Sequence, residues 1–185
     1  KRQNLALSLE SQRCKGAEEA FHRQKAYLKA LHETSLILID KIDKGELLEN
    51  ILERATSLTG TEHGYIYLLE QGGRQMQMRV GMGFFKSQLG RRVIIGQGMG
   101  GQVWETESPV LVDDYNCWPG RISDKVLDGL RSVVGIPLKS DRQVLGVIGL
   151  AHFDIRERFS EEDITVLEQF AALALIALEK ARLYA

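Results

Sequence analysis

Apolar residues recur at three different spacings along this chain, and each spacing predicts a different kind of element. From Lys1 to about Leu38, Leu7, Cys14, Phe21 and Leu28 return every seven residues, with Ala17 and Leu31 at companion positions and Glu10 and Gln24 interrupting the pattern. That is the heptad of a long helix with a narrow apolar seam. A stripe so narrow suits a partner helix better than the wall of a globular core. Residues 1–42 are therefore read as a linker helix whose seam (Leu7, Cys14, Phe21, Leu28, Leu31) joins a homodimer. An amphipathic helix folded back on its own domain stays open as the alternative.

A helical period of 3.6 takes over after Asp43, a predicted N-cap with Glu46 completing a capping box. Leu47, Leu48, Ile51, Leu52, Ala55 and Leu58 share one face, and Gly60 stops the helix. Short strand-like runs follow at His63–Leu69 and Gln75–Val80, with Gln71-Gly72-Gly73-Arg74 as the turn. Gly81-Met82-Gly83 ends the second run. Further strands are expected at Arg92–Ile95 and Pro109–Val112, separated by a glycine cluster and a short helix near Gln102–Glu107. An irregular stretch, Asp113 to about Gly120, and a short helix near Ser123–Leu130 come next. Arg131–Leu138 and Val144–Leu150, joined by Ser140-Asp141-Arg142-Gln143, read as a hairpin covered on both faces for at least part of its length. The last helix starts at Ser160, with Asp163 closing a second box and Glu161 and Glu162 in the first turn. Ile164, Leu167, Ala171, Ala174, Leu175 and Leu178 form one face, and Val166, Phe170, Leu173 and Ala177 make much of the other side apolar as well. Such a helix should be buried on more than one side.

This order predicts an α+β fold, a central antiparallel sheet of about six strands with helices on both sides and long helices at each end. The division expected is 1–42 as linker and 43–185 as the domain proper. The chain opens on Lys1 rather than Met, and its last helix reaches Ala185 without a stop signal, so a piece of a longer polypeptide is expected.

Charge and composition add mostly exclusions. A formal net charge of −1 over 185 residues offers no global attraction to nucleic acid or to an anionic membrane surface. No apolar run approaches the roughly 20 residues of a membrane span. Two cysteines are no disulfide framework, which points to a reducing, cytoplasmic compartment.

Gly96-Gln97-Gly98-Met99-Gly100-Gly101 satisfies G-x-G-x-x-G, and Asp113 and Asp114 lie where a ribose-binding acid would belong. Pro109 follows too closely for the crossover helix that a dinucleotide fold needs. A tight turn setting a helix start against a cavity is the better reading. Arg91, Arg92, Gly98 and Gly100 present charge and bare amides to a small anion there. Cys117, in Tyr115-Asn116-Cys117-Trp118-Pro119, has no nearby histidine in sequence to activate it and reads as a half-buried thiol. His22, His32, His63 and His152 show no metal-ligand spacing, so no metal is expected. His152 ends a central strand.

Together, Gly96–Val103, Glu107–Tyr115, Arg131–Leu138, Gly146–Leu150 and Phe159-Ser160-Glu161-Glu162-Asp163 with its closing helix resemble the GAF domain, over roughly Gly45 to Ala185. The resemblance implies a small-molecule pocket between the sheet and the loops after Gly96 and Val112. It also implies a regulatory role over an attached output such as a histidine kinase, nucleotide cyclase or transcription activator, as in bacterial signalling and two-component proteins. Cyclic-nucleotide members carry an Asn-Lys, Phe, Asp-Glu signature; here Phe159 and Asp163 fit, but Ile164 replaces the Glu and the Asn-Lys pair is missing. Bilin-attaching members use a Cys before the hairpin, where Ile122–Leu130 has none. Members that reduce free methionine sulfoxide use several cysteines around the pocket, where this domain has one. The expected pocket residues are Met99, Val103, Tyr115, Asn116, Trp118, Ile122, Ser132 and His152. The function expected is a non-catalytic small-molecule sensor, with its cofactor unknown, signalling through dimeric end helices. A ligand-free dimerisation domain, a pigment sensor linked through Cys117 and a small redox enzyme are the rivals. A cavity plugged by Trp118 and Tyr115 would favour the first of these.

Overall fold

A computed structural model describes residues 44–141 and 143–183. The predicted linker helix, its seam residues Leu7, Cys14, Phe21, Leu28 and Leu31, and the Asp43 cap lie outside the described residues. Three helices are described, α1 (Lys44–Leu58), α2 (Gly98–Thr106) and α3 (Glu161–Leu183). The strands are β1 (His63–Leu69), β2 (Met76–Met82), β3 (Arg92–Val93), β4 (Val110–Val112), β5 (Val133–Lys139) and β6 (Val144–Ala151). They form one antiparallel sheet in the order β3-β2-β1-β6-β5-β4.

The predicted hairpin stands at its centre. Val133 pairs with Ala151 and Lys139 with Val144, and the Ser140 N–H donates to the Gln143 carbonyl across the turn. Side chains alternate between faces along each strand. Ile66, Val134, Ile136, Ile148 and Leu150 therefore meet Leu48 and Leu52 of α1 and Leu167 of α3 on one side. Tyr65, Tyr67, Val133 and Val147 face the other side, which is covered by α2, a 3-10 segment (Gly83–Gln88) and the 113–130 loop. Apolar runs with weak alternation were the trace of this double burial.

The cap at the last helix forms as expected. The Ser160 Oγ accepts from the Asp163 N–H at 3.2 Å, and the Asp163 Oδ2 accepts from the Ser160 N–H at 2.7 Å.

Several expectations need correction. Leu58 is 69% exposed. The buried face of α1 ends in Thr56 and Thr59 instead, and the Thr59 hydroxyl bonds the Ala55 carbonyl at 2.8 Å. β3 stops at Val93 because its partner β2 begins at Met76, opposite Val93, and Ile94 and Ile95 are left exposed. α2 starts at Gly98, four residues earlier than expected. Glycine disfavours helix, yet a Cβ at Gly101 would stand 2.2 Å from the Ile94 carbonyl oxygen, so close packing requires it. The helix expected at Ser123–Leu130 shrinks to a 3-10 turn over Lys125–Leu127, started by the Asp124 carboxylate accepting from the Val126 N–H. In α3, Leu167, Ala171 and Ala174 are buried but Leu173 is 50% exposed, so among the described residues only one side of that helix is covered. No described helix is long and apolar enough to cross a membrane.

Candidate functional site

The layer between the sheet and α2 is incompletely filled. A cavity with a core of ≈ 40 Å³, and ≈ 420 Å³ of unfilled space counting its mouth, is lined by Tyr65, Tyr67, Met78, Phe85, Gln88, Arg91, Val93, Met99, Gly100, Tyr115, Ile122, Leu127, Leu130 and Val133. A single water needs roughly 10–15 Å³ of such space, so the core admits a few waters at most.

Its floor depends on glycines. Gly135 and Gly149 are paired across β5 and β6, and Tyr65 lies opposite Gly149 on β1. A Cβ at Gly149 would stand 2.3 Å from the Tyr65 ring, and one at Gly135 would stand 2.8 Å from Val103. The two bare positions let the Tyr65 ring lie across the sheet and let α2 settle on β5. Phe85 and Tyr67 pack edge-on to that ring, at 4.7 and 5.4 Å between centroids. Tyr65 is 3% exposed, and its hydroxyl has no hydrogen-bond partner among the described residues. Burial pushes the phenols of Tyr65 and Tyr67 well up, and that of Tyr115 less, so all three are protonated at neutral pH.

The wall opposite the sheet is latched. Arg91 Nη2 meets Asp124 Oδ2 at 2.6 Å, and Arg91 Nε and Nη2 both donate to Gln88 Oε1. The Arg91 hydrogen bond holds the Asp124 carboxyl below its ordinary range. The Tyr115 hydroxyl accepts from the Ile122 N–H at 3.1 Å, and Ile122 packs under Gly98, where a Cβ would stand 2.7 Å from its side chain. Asn116 closes the loop from behind by donating to the Asp128 and Leu130 carbonyls.

Of the residues expected at a pocket, Met99, Tyr115 and Ile122 line this cavity and five do not. Val103 is fully buried against Gly135. Asn116 is the loop's internal brace. Trp118 packs over Gly120 beside Tyr115, so it does not plug the cavity. Ser132 is buried, its Oγ accepting from the Phe159 N–H, and as the residue before Val133 it faces the other way. His152 is buried against Phe159, with Nδ1 3.1 Å from Glu157 Oε2. Tyr65 and Tyr67 line the cavity outside the expected set, and Arg91 lines it as a member of the expected anion site. The alternation of Tyr65-Ile66-Tyr67 within a strand carried the signal for the first two.

The anion site expected of Arg91, Arg92, Gly98 and Gly100 does not assemble as a unit. Arg92 pairs with Glu70 at 3.1 Å, and Gly100 is packed against Tyr67 and Val93. Only Arg91 and Gly100 reach the cavity. Cys117 is exposed rather than half-buried. Its hydrogen bond with Asp114 pushes the thiol up, opposite to what a nucleophile requires. It does not line the cavity. Among the described residues no group of three or more His, Cys, Asp or Glu could hold a metal. The antiparallel sheet contains no crossover of the dinucleotide-binding kind.

Comparison with known proteins agrees with this architecture. The chain is 30% identical over 127 residues to the Nif-specific regulatory protein of Herbaspirillum seropedicae, a match covering 65% of this chain and 23% of that protein. The GAF domain of a phosphoenolpyruvate-protein phosphotransferase from Coxiella burnetii superposes with a TM-score of 0.71 at 19% identity, covering 85% of this chain and 95% of that one. Free methionine-R-sulfoxide reductase from Neisseria meningitidis, solved with its substrate, gives 0.66 at 22% identity, covering 80% and 86%. At these identities the two structures speak for the fold alone. The GAF domain family model matches residues 42–179, and the chain belongs to that family.

Proposed function

We infer that this chain is a small-molecule-sensing regulatory domain of a larger signalling protein, non-catalytic in itself. The observation that carries the reading is the cavity beneath α2, with a buried, unpartnered Tyr65 hydroxyl in its lining. A polar group left unsatisfied in a core costs about 1–3 kcal/mol, and a ligand acceptor would recover that. The relative's name, a Nif-specific regulatory protein, supports a regulatory output, and the 23% of it that is matched supports a part within a longer chain. Signal would pass from the latched 113–130 loop and the sheet to α3, and through the seam Leu7, Cys14, Phe21, Leu28 and Leu31 of a cytoplasmic homodimer. Glutamate at Leu28 and Leu31 should then lower the sedimenting mass from dimer to monomer.

The small core of the cavity favours one second reading, a domain that works by dimerisation with no ligand. Native mass spectrometry of freshly purified chain separates the two. A reproducible non-covalent adduct supports the sensor. An apo mass in every preparation, together with no thermal stabilisation across a metabolite panel, would leave the dimerisation domain.

A further inference from the structure

Among the residues that line the cavity, Arg91 is the ionised side chain, and the other polar side chains are three neutral phenols and the Gln88 amide. The hydroxyls of Tyr65 and Tyr67 make no hydrogen bond among the described residues, and the Tyr115 hydroxyl accepts from the Ile122 N–H while its own proton is unspent. Arg91 uses Nε and Nη2 on Gln88 and Asp124, and its Nη1 makes no hydrogen bond among the described residues. The Gln88 amide oxygen is taken by Arg91. The rest of the wall is apolar, with Met78, Phe85, Met99 and Leu130 among its members.

We propose that the cavity selects a compact organic anion, a carboxylate on a small apolar body, whose oxygens accept from the tyrosine hydroxyls and lie against Arg91. This rests on the sensor reading above and adds the chemical class of the ligand. A buried phenol can donate or accept, and the Arg91 charge in the same lining selects the anionic partner; hydrogen bonds to ions are about twice as strong as neutral ones. Inorganic oxyanions satisfy the donors but leave the apolar wall without a partner. Asp124 pairs with Arg91 and would share it with an incoming carboxylate, which ties occupancy to the 113–130 loop. The core alone is too small for such a body, so entry draws on the wider space at the mouth.

The test is an amide-resonance titration of the whole 185-residue chain with benzoate, with benzyl alcohol as its neutral counterpart and inorganic phosphate as an anion without an apolar body. Benzoate should saturate shifts at Tyr65, Gly100 and Ile122 at concentrations where the other two do not. Tyr65→Phe keeps the ring and should weaken benzoate about ten-fold or more. Asp124→Asn keeps the acceptor for the Val126 N–H and should tighten it by about two- to five-fold, because a competing charge is gone. Equal binding of benzyl alcohol and benzoate, or affinity unchanged in both variants, overturns the anion proposal and leaves a small-molecule pocket standing. Shifts from none of the three probes overturn the proposal and remove the cavity's support for a sensor as well.

Discussion

Gly149 is the position where sheet and cavity depend on each other most directly. A Cβ there would stand 2.3 Å from Tyr65 Cζ and 2.4 Å from its Oη. Carbon atoms prefer about 3.5–4.0 Å, so in Gly149→Ala the ring must retreat by roughly 1 Å or more. Phe85 and Tyr67 flank it at 4.7 and 5.4 Å, which leaves the cavity as the direction of escape. Overpacking of a well-packed core costs about 1–3 kcal/mol, equivalent to a Tm lowered by roughly 3–10 °C for a domain of this size. Urea unfolding followed by tryptophan fluorescence measures this in wild type, Gly149→Ala, Tyr65→Val and the double variant. The collision requires the ring, so Gly149→Ala in the Tyr65→Val background should lose most of its cost, giving a coupling of about 1 kcal/mol or more. A single variant within about 0.5 kcal/mol of wild type, the range of innocuous surface changes, would refute the reasoning. The same holds if the penalty is undiminished without the ring.

Ser160→Ala removes the acceptor for the Asp163 N–H and should destabilise the domain by about 1 kcal/mol, read as a lower urea midpoint with an unchanged slope. His63 is held below its ordinary pKa by burial, and its Nδ1 accepts from the Phe84 N–H at 3.1 Å, so the folded state favours the neutral ring. The unfolded chain therefore binds more protons between the folded value and 6.5. The contribution is complete above pH 6.5 and is lost as pH falls through the folded value, and the urea-midpoint advantage over His63→Gln should shrink across that interval. Asp114 holds the Cys117 thiol in its protonated form. In a Cys14→Ser background, Asp114→Asn should raise the rate of iodoacetamide alkylation at pH 8, while an unchanged rate would mean the carboxylate does not control the thiol.

Much of the fold was legible in one dimension. Strong local signals, the Ser160–Asp163 box, the Ser140–Gln143 turn and the aliphatic runs of β5 and β6, lie within a few residues of each other, and the structure places them as read. The family motifs spread over the second half of the chain carried the sheet and its helices for the same reason. Where the reading missed, a distant partner decided the outcome. Gly96 and Gly98, at φ +76° and +60°, form the expected tight turn, but Gly100 and Gly101 continue into α2, where their missing side chains make room for Tyr67, Val93 and the Ile94 carbonyl. β3 ended early because its neighbour did.

The site divides along the same line. Hydrophobic period and capping chemistry by themselves determined an α+β domain with a buried central hairpin, since those patterns are set by nearest neighbours along the chain. That Tyr65 lies across Gly149, that Arg91 meets Asp124 thirty-three residues away, and that Trp118 stays outside the cavity were decided by tertiary packing alone. Each is a matter of which faces meet across the sheet, and sequence spacing carries no term for that.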